Sequence, residues 1–211
     1  MSVLTFAIYA QNWKPYKIDD SVQVSLPAGF KKVDTLGQTK ITAQTTFGYI
    51  QITKLNDNTS RTPDIEKVKH LNKYYDGFVK DIKASSKYGI ISGEKDTVMG
   101  NLHVKDFTMA VDSGSGKQYR NFRIIHENGA TYTFQYLHQD IHNEYAAPEK
   151  KEFFNSIIIL VSDVKSQFTS PENTTGKSTS ENSNLFKLIG FGVLLGILLL
   201  YFIIKRKRKA K

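Results

Sequence analysis

No pair of residues limits what this chain can fold into more than Asn128-Gly129. Both central positions of a type I′ turn need positive φ, which Asn tolerates and Gly favours. The runs on either side, "QYRNFRIIHE" (118–127) and "ATYTFQYLH" (130–138), are rich in aromatic and β-branched residues. An antiparallel hairpin is therefore predicted, with Tyr132, Phe134 and Tyr136 on one face. Two further strands precede it. "GIISGEKDTVM" (89–99) meets "LHVKDFTMAVD" (102–112) at Gly100-Asn101, and "SGSGK" (113–117) then turns the chain into the hairpin. The 102–112 strand alternates through Leu102, Val104, Phe107 and Met109 with one slip of phase.

Upstream, "VQVSLP" reads as a strand stopped by Pro27, and Thr39–Leu55 as two strands bent near Gly48. Thr62-Pro63-Asp64 predicts a helix start, with Thr62 as cap and Pro63 in the first turn. Ile65, Val68, Leu71, Tyr75, Phe78, Val79 and Ile82 then recur every three or four residues, carrying that helix to about Ser85 with one buried face. A last helix is expected from Pro148, burying Phe153, Phe154, Ile157 and Ile158. Strands in series around two helices make the class α+β, a mainly antiparallel β-sheet flanked by helices.

The C-terminus follows different rules. Leu188 to Ile204, "LIGFGVLLGILLLYFII", holds seventeen residues without a charge. A bilayer core of about 30 Å needs roughly 17–25 helical residues, so 185–204 is expected to be one transmembrane helix in a lipid bilayer, with Lys187 snorkelling at its end. Lys205, Arg206, Lys207, Arg208 and Lys209 follow without a spacer. The positive-inside rule places residues 205–211 in the cytoplasm and the domain on the far side of the cytoplasmic membrane. Residues 166–184 are Ser, Thr and Asn-rich and read as a flexible stalk. Export calls for a signal, and the apolar residues up to Ala10 read as a signal-peptide remnant (1–10) cleaved between Ala10 and Gln11, its start lying upstream. The competing expectation is a first β-strand there, in a tail-anchored cytosolic protein. Residues 11–165 are then the folded domain.

Net charge is +9, but seven of the 29 Lys/Arg and none of the 20 Asp/Glu lie from Leu185 onward. The remainder is nearly neutral, which argues against a nucleic-acid-binding face. Without cysteine the chain has no disulfide, thiolate nucleophile or Cys-based metal site.

The succession "VSLPAGFKKV" (24–33), strand pair, long helix, meander with "YRNFRIIHENGATYTFQY" (119–136) and "EKKEFFNSIIIL" (149–160) resembles the PsbP-like superfamily over about Tyr16 to Val161. That group includes extrinsic photosystem II proteins, bacterial envelope lipoproteins and a nuclear-transport factor that binds Ran. The resemblance implies an α-β-α sandwich serving as a binding or assembly module. The superfamily shares no catalytic motif to carry over. A membrane anchor departs from its soluble and lipid-anchored members, which leaves the partner open.

Chemistry is sparse. His138 and His142 stand four apart beside Asp140 and Glu144, and on a helix could share a metal ion. Two imidazoles fall short of a site, so a solvated loop without metal is expected there. "GSGK" (114–117) lacks the spacing of a phosphate loop and reads as a turn. Gly192 and Gly196 could let two membrane helices approach and form a weak homodimer. No cofactor is expected. The preferred function is a membrane-anchored, non-enzymatic binding or assembly domain with a protein partner. The alternatives are a hydrolase or metal-dependent enzyme with a dispersed site, and a carrier holding a small ligand between sheet and helix.

Overall fold

A computed structural model describes residues 13–112, 114, 116–160 and 164–169. Ala10 and Gln11, Gly192 and Gly196, the span 185–204 and the cluster Lys205 to Lys209 lie outside the described residues. Among the described residues no helix is long and apolar enough to cross a membrane.

A short sheet is built from β1 (Lys14–Lys17), β2 (Val22–Leu26) and β10 (Ile158–Ile159) in the order β1-β2-β10. The main sheet contains β3 (Lys31–Thr35), β4 (Gln38–Gln44), β5 (Gly48–Asn56), β6 (Ile90–Met99), β7 (Leu102–Asp112), β8 (Lys117–Glu127) and β9 (Ala130–Gln139). Its order is β3-β4-β5-β9-β8-β7-β6, antiparallel throughout. Asn128 (φ 47°) and Gly129 (φ 68°) form the turn expected of them. Helix α1 (Val68–Ala84) lies on one face, and helix α2 (Asn143–Asn155) with the short sheet on the other.

Each face therefore carries a buried core, and this explains the phase slip in β7. Val104 enters the core under α2, whereas Phe107, Met109 and Val111 enter the core under α1. Successive strand residues point to opposite faces, so a change of buried face looks in sequence like a lost residue.

Lys105, buried on the α1 face, fixes the helix in place. Its Nζ lies 2.7 Å from Asp76 of α1 and 2.8 Å and 3.3 Å from Asp96 and Glu94 of β6. Burial alone would lower its pKa, but the three carboxylates outweigh that and raise it above the ordinary value. A bulge helps to assemble the cluster. Ser92 pairs with Thr108 and Lys95 with Asp106, so Gly93 (φ 61°) and Glu94 together stand against one residue of β7.

Three expectations need correction. Helix α1 begins at Val68, not at Thr62, and Lys67 caps it without a side-chain bond. Thr62 instead closes a turn, its Oγ1 accepting from the Asn58 N–H at 3.0 Å. Ile65 is held out of the helix by Thr169, whose Oγ1 accepts its N–H (2.8 Å) and whose N–H donates to its carbonyl (2.9 Å). Helix α2 begins at Asn143, so Pro148 sits inside it on the solvent side, and Ile158 is an exposed strand residue. The fold also runs past residue 165, into the expected stalk. Gln167 is fully buried, and its amide group accepts from His103 N–H and donates to the carbonyls of His103 and His126.

The same corner is sensitive to acid. Burial pushes the His126 pKa down to about 4 from 6.5, although Nε2 stands 3.4 Å from Asp57. Between those pH values the unfolded chain binds the extra proton, so stability falls as pH drops through the window. At about 1.4 kcal/mol per pKa unit, the loss amounts to at most about 3 kcal/mol. Asp57, its pKa raised by burial, offsets part of that at the acid end. Urea unfolding followed through Trp13 should show this slope, and His126→Gln should flatten it. Stability unchanged from pH 6.5 to 4.5 would contradict the assignment.

Candidate functional site

A helix about 10 Å across covers roughly two strands spaced about 4.8 Å apart. The main sheet has seven. Lys105 and the apolar side chains Leu71, Tyr75 and Val79 seat α1 over β6, β7 and β8. The same face of β5 and β9 is left beside the helix, and there a groove of about 430 Å³ opens.

Its wall is a second stripe of α1, in which His70, Lys73, Tyr74, Gly77 and Asp81 repeat at helical spacing up to the C-cap Ser85, joined by Phe78 and Ile82. Its floor consists of side chains facing away from α2. The register places Gln51, Gln135 and Phe122 in one cross-strand row, with Thr53 opposite Thr133. Arg120 lies two residues from Phe122 along β8. The end wall is the non-helical stretch around Pro63 and Asp64, the segment that Thr169 holds through Ile65. Tyr74 closes the same corner, its hydroxyl 3.0 Å from Thr131 Oγ1.

Gly77 is the unexpected wall residue. Glycine inside a helix is about 1 kcal/mol worse than alanine. No close approach by another element requires it, since a Cβ built there would meet nothing within 4 Å. What the missing side chain does is widen the groove.

Charge in the groove is poorly matched. Arg120 Nε is buried without a hydrogen-bond partner, and no carboxylate among the described residues pairs with the guanidinium. Burial lowers its pKa, with no opposing cause. Lys40, opposite Thr53 in register and so on the same face, also has its pKa lowered by burial alone. On the helix wall the Asp81 pKa is raised, first by burial, against the nearby Lys80.

The opposite face shows satisfied counterparts. Arg123 makes a two-pronged bond to Asp106, with Nε–Oδ1 and Nη2–Oδ2 both at 2.8 Å, and lies against the Phe154 ring. Glu149 of α2 accepts from Tyr136 (2.8 Å) and from the N–H groups of Thr46 and Phe47. Burial raises its pKa, but these bonds, with that of Thr45, prevail and lower it.

The histidine pair is placed differently from expectation. His138 is not in a loop. It is buried in β9 with Nε2 3.1 Å from Asn143 Oδ1, and burial lowers its pKa. His142 ends a 3₁₀ turn (Asp140–His142) and sets its ring edge against Phe47. Among the described residues no group of three or more His, Asp or Glu is placed to hold a metal ion. The sequence reading missed Arg120, Gln51, Thr53, Thr133 and Gln135, which look like the solvent-facing half of ordinary strands. Only the uncovered width of the sheet, a tertiary property, marks them.

No family model and no curated protein matches this sequence. Solved structures similar to it include cyanobacterial PsbP (CyanoP) from Synechocystis sp. PCC 6803, at TM-score 0.49 and 10% identity, covering 73% of this chain and 96% of that one. LpqN, described as involved in cell envelope biogenesis of Mycobacterium tuberculosis, gives TM-score 0.43 at 14% identity over 70% of this chain and 90% of its own. A single-substitution variant of Mog1 gives 0.42 at 8% identity over 71% and 96%. These are likenesses of fold.

Proposed function

We propose that this chain is a non-enzymatic binding domain, anchored by one C-terminal membrane helix and displayed on the extracytoplasmic side. The groove between α1 and the sheet is its binding site. One observation carries the reading: a cavity of about 430 Å³ whose exposed surface is mostly carbon, from Leu55, Pro63, Phe78, Ile82 and Phe122 among others, with polar side chains converging on it. Its size falls within the roughly 300–1,000 Å³ of small-molecule sites. Of the functions expected from sequence, ligand carriage between sheet and helix is the one this cavity favours. The anchor rests on sequence alone, on the uncharged stretch 188–204 and the basic residues behind it.

Photolabelling tests the site. With a neutral ten-carbon diazirine probe, the full-length chain in bilayer nanodiscs should be labelled on peptides carrying Phe78, Ile82 and Phe122. Gly77→Leu fills the groove and should abolish that labelling, while leaving stability unchanged or raising it by up to about 1 kcal/mol. Labelling that ignores the substitution, or that falls only on the α2 side, would defeat the proposal.

Topology has its own test. The chain has no cysteine, so Ser178→Cys and Ala210→Cys give single labels. In intact cells a membrane-impermeant maleimide should reach the first and not the second. Reaction at residue 210 alone would invert the orientation.

A further inference from the structure

We infer that the groove takes an amphipathic carboxylate, its carboxylate bound to Arg120 and its apolar chain lying along Phe78, Ile82 and Phe122. This inference rests on reading the groove as a binding site and specifies what occupies it.

Arg120 is the starting point. Arg120 is half-buried with its Nε cut off from water, and a guanidinium N–H held dry without an acceptor is costly, because its lost hydration is replaced by nothing. Its Nε has no partner, and the rest of the guanidinium has no hydrogen bond or ion pair among the described residues. Three positions along the same strand and on the opposite face, Arg123 shows what a satisfied arginine looks like in this sheet, clamped by both oxygens of Asp106. A ligand carboxylate would supply to Arg120 the same planar two-oxygen acceptor that Asp106 supplies to Arg123. Gln135 and Gln51 follow one row along the same face of the sheet and Thr133 one row further, as neutral hydrogen-bonding groups of the floor.

The number of charges is set by the wall. Asp64 and Asp81 line the groove with His70 and Lys73, so wall charges of both signs are present, and Arg120 is the cation among the floor residues of the lining, Lys40 standing on the same face but outside it. One guanidinium matches a monoanion, and the two aspartates oppose a doubly charged head. The rest of the ligand is apolar, since Leu55, Pro63, Tyr74, Phe78, Ile82 and Phe122 supply a continuous share of carbon to the lining. The site therefore selects a carboxylate-headed chain over the corresponding alcohol and over the alkyl phosphate dianion.

The test is competition against the neutral diazirine probe on the full-length chain in nanodiscs, with free ligand concentrations measured. Decanoate should halve groove labelling at a concentration at least about tenfold below decanol and below decyl phosphate, since one charge-assisted bond of about 1.5–3 kcal/mol corresponds to ten-fold or more. Arg120→Met should bring decanoate to the level of decanol and leave decanol unchanged. Replacing a half-buried, unpaired guanidinium by an apolar side chain should not endanger folding, and the decanoate-to-decanol ratio in the unsubstituted chain needs no variant. Equal competition by decanoate and decanol, or decanoate protection that survives Arg120→Met, would overturn the carboxylate assignment while leaving the groove as a site. Absence of groove labelling by the probe itself would overturn both.

Discussion

Where helix α1 sits on the sheet depends on Lys105. Its ammonium is buried, yet Asp76 from the helix and Glu94 and Asp96 from the edge strand surround it within 3.3 Å. The attraction exceeds the cost of desolvating the lysine, as its raised pKa shows, although apolar side chains of the same volume could stabilise the fold as well. What the cluster supplies is position. A buried lysine bonded to α1 on one side and β6 on the other holds the helix over β6–β8 and keeps it from sliding to the middle of the sheet. The groove over β5 and β9 is the consequence. Tyr75 reinforces the placement, donating to the His103 carbonyl at 3.0 Å and accepting from the His126 N–H at 2.8 Å.

The two faces of the sheet are finished differently. Under α2 and the short sheet, charged groups find partners: Arg123 with Asp106, Glu149 with Tyr136 and two backbone N–H groups, Asp19 with Lys54 and Tyr132. Beside α1, Arg120 and Lys40 carry charge into partly dehydrated surroundings without an ion pair to any carboxylate among the described residues, and a glycine occupies a helix position with space for a side chain. Natural folds rarely leave buried charge unmatched when a side chain could meet it. That contrast within one sheet gives the groove its functional reading.

Much of this architecture was legible in the sequence, and the legible parts are those governed by local rules. Asn128-Gly129 specified its turn through backbone sterics, and the period of Leu71, Tyr75 and Val79 specified the buried face of α1. Tertiary contacts overrode the local rules elsewhere. Thr62-Pro63-Asp64 carries good helix-start chemistry, but a pairing with Thr169 holds Ile65 out of the helix. Pro148 looks like a helix opener and is instead tolerated on the solvent side of α2. Gln167 lies among residues of stalk-like composition and is nonetheless fully buried, because its amide matches the backbone groups of His103 and His126. The groove was illegible for a related reason. Gln51, Thr53, Thr133 and Gln135 alternate as exposed strand residues do, and sequence does not say how far a single helix falls short of covering seven strands.

The most direct measurement is of Arg120 itself. In the full-length chain labelled with ¹⁵N at arginine, the Nε–H resonance of Arg120 would be followed while decanoate is added. Carboxylate binding at Arg120 should give a saturable shift of that resonance and slower exchange of its proton with water, with Arg123, already paired with Asp106, unmoved. An Arg120 signal indifferent to decanoate, or a response confined to Arg123 across the sheet, would contradict it.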